Sequence, residues 1–182
     1  GTASSSTVLY GDQTYKAEPG GGKIGQVLSA TKTDTQSTTS DDWVDIADLT
    51  LNITCSATSS KVYIAGFVQL SFKDDTTPGI AINAGGGIVG SGAAGGSRLL
   101  AHSSWSYIGS AGSWGNPLDM MIVSPVNYLW SPSSTSEQTV KLQFTNNDVT
   151  GATLYINRSN DDADNYWDAR TVSTLTIMEV LA

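Results

Sequence analysis

Cysteine and histidine occur once each in 182 residues, and only 14% of positions are charged. With Cys55 alone, no disulfide can form within the chain. With His102 alone, any Ser-His-Asp triad or Cys-His pair has one possible base, and the chain contains no Gly-x-Ser-x-Gly element. Zinc sites draw on several nitrogen and sulfur ligands, which His102 and Cys55 do not furnish. Basic residues are also scarce, nine Lys and Arg against 17 Asp and Glu, for a formal charge of −8 and a pI near 4.3. A polyanion such as nucleic acid would be repelled, and so would an anionic lipid surface. No apolar run approaches the ~20 residues that span a bilayer. The first six residues have neither the basic start nor the apolar core of a signal peptide, and there is no initiator Met. The expectation is a processed chain or part of a longer one.

What is abundant is glycine, 19 residues, together with Ser and Thr. That composition favours short strands joined by Gly, Ser, Asn and Asp turns over long charged helices. No segment sustains helical apolar spacing, whereas several alternate. Val62, Ile64, Val68, Leu70 and Phe72 share one face of the segment 61–72. Val140, Leu142 and Phe144 alternate with Lys141 and Gln143, and Leu154 with Ile156. Leu175 and Ile177 face one way near the end of the chain, and Met178 and Val180 the other. In 44–55 the phase slips between Val44/Ile46 and Leu49/Leu51/Ile53/Cys55, which predicts a bulge or bend at Ala47-Asp48. The turn 146–151 reads as a hairpin between Phe144 and Leu154. The expected class is all-β: an antiparallel, jelly-roll-like β-sandwich over residues 24–182. Residues 1–23 read as an extended connector and oligomerisation segment, because one apolar unit cannot bury enough surface to fold alone. The Gly-rich centre, 79–118, has no regular pattern. It reads either as close backbone packing at a symmetry axis or sheet edge, or as a surface loop.

Little of this carries chemistry. Two Gly-x-Gly-x-x-Gly matches, at 20–25 and 85–90, lack the following helix that a dinucleotide site needs. Asp161, Asp162 and Asp164 could offer oxygen to Ca²⁺, but the EF-hand spacing is absent. A solvated turn beside Arg158 and Arg170 is the stronger reading. A glycosidase needs two carboxylates facing across a cleft, which acidic residues in separate turns do not indicate. The aromatics Trp105, Tyr107, Trp114, Trp130 and Trp167 lie in or beside Ser/Gly/Pro/Asn stretches. Exposed aromatic faces stack on sugar rings and anchor protein contacts, so these five are the candidate ligand-binding residues. No catalytic residue and no cofactor is expected.

Thr7-Val8-Leu9-Tyr10-Gly11-Asp12-Gln13-Thr14-Tyr15 resembles the "leucine, x, Gly-Asp-x-Thr-aromatic" element of phage tail-fibre chains. The stretch 25–35, Ser59-Ser60-Lys61-Val62, Tyr155-Ile156-Asn157-Arg158-Ser159 and 173–179 are similar to terminal domains of marine phage fibre and virion proteins. Together they cover most of residues 7–182. The resemblance implies a β-rich homotrimer on the virion surface, made in the bacterial cytoplasm and recognising a host surface glycan. Val8, Leu9, Tyr10 and Tyr15 are the expected oligomerisation residues, and the N-terminal segment would also join other virion proteins. A capsid decoration or head-fibre protein, a glycan-cleaving tail-spike tip and a bacterial lectin remain alternatives.

Overall fold

The computed structural model describes residues 2–4, 7–17, 23–72, 77–93, 99–104, 121–147, 152–166 and 168–181. Among them all regular structure is strand, paired antiparallel throughout. The strands are β1 (Thr7–Leu9), β2 (Tyr15–Ala17), β3 (Ile24–Lys32), β4 (Gln36–Thr38), β5 (Val44–Ile53), β6 (Lys61–Phe72) and β7 (Pro78–Ala84). They continue with β8 (Gly87–Val89), β9 (Ser103–Ser104), β10 (Ile122–Trp130), β11 (Gln138–Asn146), β12 (Leu154–Ile156) and β13 (Ser173–Val180).

Two sheets form a sandwich. In the first, β13 and β12 lie end to end along one edge of β6, β10 pairs the other edge, and β3 and β4 continue outward from β13 and β12. In the second the order is β5-β11-β7, with β8 and β9 sharing the far edge of β7. Collinear pieces counted together give eight strand lines. The lines cross between sheets in the orders 1-8-3-6 and 2-7-4-5, which is a jelly roll of two Greek keys.

Alternation produces the core. Inward side chains of both sheets, among them Ile46, Ile64, Leu70, Ile82, Leu142, Phe144 and Ile177, are fully buried between them. The phase slip in β5 is a bulge, where pairing with β11 jumps from Lys141↔Thr50 to Gln143↔Asp45 and Asp48 adopts a φ of 65°. One expectation is corrected. The turn 146–151 closes no hairpin, because β11 pairs with β5 and β7 while β12 pairs with β4 and β6. The chain there crosses from one sheet to the other, braced by Asn146, whose side-chain amide donates to the Ala152 carbonyl. Proximity in sequence suggested pairing, but both apolar faces needed different partners.

The sandwich edge between β3 and β5 is closed by polar side chains. Gln36 pairs with the bulge as a strand would, donating to Asp45 O (2.9 Å) and accepting from Ala47 N (2.8 Å). Lys32, 1% exposed, sends its ammonium to Asp34 (2.6 Å) and toward Asp48 (3.8 Å). Glu179, 2% exposed, accepts from Gln26 Nε2 (3.0 Å) and from the Ser56 amide and hydroxyl (2.6 and 2.7 Å). These donors, led by Gln26, hold its carboxyl down to about 2.

Within the N-terminal segment, residues 7–17 form a hairpin. Gly11 to Thr14 turn the chain so that β1 pairs with β2, in a sheet separate from the other two. Asp12 accepts from the Thr14 amide and hydroxyl (3.1 and 2.6 Å), and Gln13 takes a left-handed φ of 61°. The expected boundary between residues 23 and 24 adjoins residues 18–22, which lie outside the described set.

Candidate functional site

The outer face of the second sheet carries an open depression of about 550 Å³, lined by Asn83, Gly85, Gly86, Glu137, Gln138, Thr139 and Lys141. Strand alternation sets its floor: Asn83 on β7 and Lys141 on β11 are paired neighbours that face away from the core. The wall is the β7–β8 turn, where Gly85 and Gly86 have φ values of 62° and 87°. A side chain at Gly85 would meet the Trp130 ring at 3.0 Å, so this position requires glycine for space as well as conformation.

The donors in the depression are largely committed. Lys141 Nζ is paired with Asp45 (2.7 Å), and Asn83 Nδ2 donates to Gln143 (3.1 Å). Thr139 donates to Asn52 (2.9 Å), and Gln138 Nε2 donates to backbone carbonyls. Lys141 and then Gln143 hold Asp45 below the usual carboxylate range. What is left is mainly acceptors: the Glu137 carboxylate and the side-chain carbonyls of Asn83 and Gln138. A shallow surface rich in free acceptors suits a ligand rich in hydroxyl donors. Among the described residues that line it, Glu137 is the one carboxylate.

Of the five candidate aromatics, only Trp130 falls among the described residues; Trp105, Tyr107, Trp114 and Trp167 lie outside them. Trp130 lies at a strand end, beside the 131–134 loop. It is the last residue of β10, paired with Val62, half-buried, packed on the core and set behind the Gly85 turn. The sequence placed it in or beside a Ser/Pro stretch, and it lies at the strand end directly before Ser131-Pro132. β10 accepts Pro125 in its middle because it lies on a sheet edge. The depression itself was missed, since its residues come from two distant segments brought together by pairing of β7 with β11. The Gly85-Gly86 turn was the available signal.

His102 ties the two sheets together. The Asn127 amide can only donate, and it reaches Nε2 (3.2 Å), so Nδ1 carries the proton that goes to the Gly90 carbonyl (3.1 Å). Both ring nitrogens are thus engaged with backbone. Cys55 is buried, and burial, with the nearby Glu179 charge, pushes its thiol up.

The acidic loop leaves the sandwich between β12 and β13 as an excursion over residues 157–172, its base marked by the Arg158↔Arg170 bridge. Asp162 there is held by Arg170 in a two-pronged pair (2.9 and 2.8 Å) and lies 3.5 Å from Arg158. These guanidiniums, Arg170 first, lower its pKa. Asp161 accepts from Asn160 (3.2 Å), and Asp164 lines a second depression of about 460 Å³ with Asp162, Asn165, Asp168 and Arg170. No group of three or more metal-ligating side chains comes together among the described residues. In the N-terminal hairpin, Val8 and Leu9 are exposed and Tyr10 is half-buried; Tyr15 contributes the backbone pairing Leu9↔Tyr15.

No protein-family model and no curated protein matches the chain. Solved structures give distant likenesses. The insecticidal delta-endotoxin Cry8Ea1 from Bacillus thuringiensis is 13% identical with a TM-score of 0.38, over 81% of this chain and 20% of that one. Infectious bursal virus derived T=1 particles give 14%, a TM-score of 0.44, and 93% and 39% coverage. Infectious bursal disease virus Gt strain gives 13%, a TM-score of 0.42, and 96% and 42%. The chain spans less than half the length of each of these proteins. The assignment of the fold rests on the strand pairing itself.

Proposed function

We propose that this chain is a non-catalytic, trimeric surface module of a virus particle, the distal part of a phage tail fibre, that binds a neutral glycan on the host surface. The observation that carries the binding role is the acceptor-rich depression between the β7–β8 turn and the start of β11. It is built on two core-anchored strands, so its polar groups are held in place before a ligand arrives. Acceptors without free cations favour sugar hydroxyls over carboxylated or sulfated glycans, and the net charge of −8 acts in the same direction. The engaged His102 and buried Cys55 support binding without turnover. The fibre assignment rests on the Gly11-Asp12-Gln13-Thr14 element and on the similarity of the later segments to phage fibre termini. In the trimer, Val8, Leu9, Tyr10 and Tyr15 of three copies pack together, and the same segment joins the rest of the particle.

The test is a glycan array of neutral and acidic polysaccharides, read for binding and for released shorter chains. Binding of neutral glycans, weakened at least tenfold in an Asn83→Ala/Glu137→Ala double variant with an unchanged unfolding midpoint, is the expected result. Release of shorter chains, preference for acidic glycans, or indifference to the double variant would overturn the reading.

A further inference from the structure

We infer that the outer face of the first sheet is the surface on which copies of this chain pack against one another. The strand register lays an apolar row straight across it: Val27 on β3, Met178 on β13, Tyr63 on β6 and Leu129 on β10 are successive cross-strand neighbours. Phe67 and Val123 extend the apolar surface toward the far end. Val27 is 54% exposed and Leu129 is 46% exposed. Beside Lys61 at the corner stand Val180 and Ile24, and the remaining outward positions of these four strands are small or uncharged polar residues.

Charge identifies the occupant. The chain has 17 acidic and nine basic residues, yet among the outward positions of these four strands Lys61 alone is charged; Arg158 stacks on Tyr155 at the β12 end of the sheet, beyond the row, and the opposite sheet carries the Asp45–Lys141 pair. A basic or acidic partner would find nothing to neutralise its charges here. A second copy, presenting the same uncharged face, brings no like charges together despite its −8. The area also fits. Four strands about 4.8 Å apart and about 30 Å long give roughly 570 Å² before side-chain relief. That approaches the roughly 800 Å² that each partner contributes to a stable interface.

Edge-to-edge pairing is disfavoured at β10, the edge at one end of the row. Pro125 has no amide hydrogen in the middle of that edge, and the Asn127 amide is already taken by His102. The proposed N-terminal contacts then add to an association that the sheets establish. The inference rests on the proposed function only for the number of copies.

Sedimentation velocity tests this with a Val27→Lys/Leu129→Lys double variant and an Asn52→Lys control on the opposite sheet, each checked for an unchanged unfolding midpoint. The double variant is expected to dissociate at concentrations at least a hundredfold higher than those at which the wild type does. The control is expected to stay assembled. Deleting residues 1–23 weakens the assembly without abolishing it. A double variant as tightly assembled as the wild type, a deletion that alone gives single chains, or a wild type that is itself a single chain would overturn the proposal. Glycan binding is read separately: a monomeric wild type that binds sugar sinks the interface alone, and an assembly that binds none sinks the recognition role alone.

Discussion

At the scale of single residues, the buried polar groups are the sensitive points. Glu179 is ionised inside the sandwich edge because Gln26 and Ser56 meet both its oxygens. Its folded pKa of about 2 lies below the ordinary 4.5, so its stabilisation is complete above about pH 4.5 and drains away as the pH falls toward 2. Allowing for solvent screening, the loss is on the order of 2 kcal/mol. Urea unfolding between pH 5 and pH 2 should show that loss in the wild type and a flatter profile in Glu179→Gln. Equal slopes would mean that another carboxylate dominates. Cys55 is predicted to resist thiol reagents in the folded protein and to react once unfolded, because burial both hides the sulfur and disfavours its thiolate. Rapid labelling of the native chain would show that the edge near Ser56 opens readily.

At the scale of elements, two positions decide how strands end. Asn157 is fully buried with a φ of 63°, where β12 stops and the excursion begins. Its amide donates to the Lys32 and Asp34 carbonyls (2.9 and 3.0 Å), and its carbonyl accepts from Ser173 (2.6 Å). Asn157→Ala loses these bonds and strains the backbone, a cost of about 3 kcal/mol. Asn157→Gly relieves only the strain, and so should unfold between the alanine variant and the wild type in denaturant titration. Gly85→Ala combines a left-handed φ with contact against Trp130 and should cost about 1–2 kcal/mol by the same measurement.

The elements also separate what was legible in the sequence from what was not. The alternating runs of β6, β11 and β13 and the bulge in β5 were readable, because one wet face and one dry face impose a period of two. β7 was not recognised: Gly79 and Ala81 face outward yet are covered, so Asn83 is the one polar residue that alternates with Ile80 and Ile82. β10 was obscured by Pro125. The sheet crossing after β11 was misread as a hairpin, since turn chemistry alone does not say which sheet the next strand joins. Of the candidate site, the Gly85-Gly86 turn was visible as glycines without a role, and the union of Asn83 with Glu137 and Lys141 is a product of tertiary pairing alone.

At the scale of the whole molecule, the two outer faces of the sandwich differ in kind. The second sheet carries the ion pair, the amides and the acceptor-rich depression; the first carries an uncharged apolar row. In the account proposed here, one face meets the ligand while the other meets further copies, and three chains present three depressions outward, raising avidity for a repetitive host surface. The mass of the full chain in solution, measured by light scattering at micromolar concentration, tests the account most directly. It predicts three times the 19.0 kDa chain mass. A species of 19.0 kDa that persists as concentration rises would contradict it.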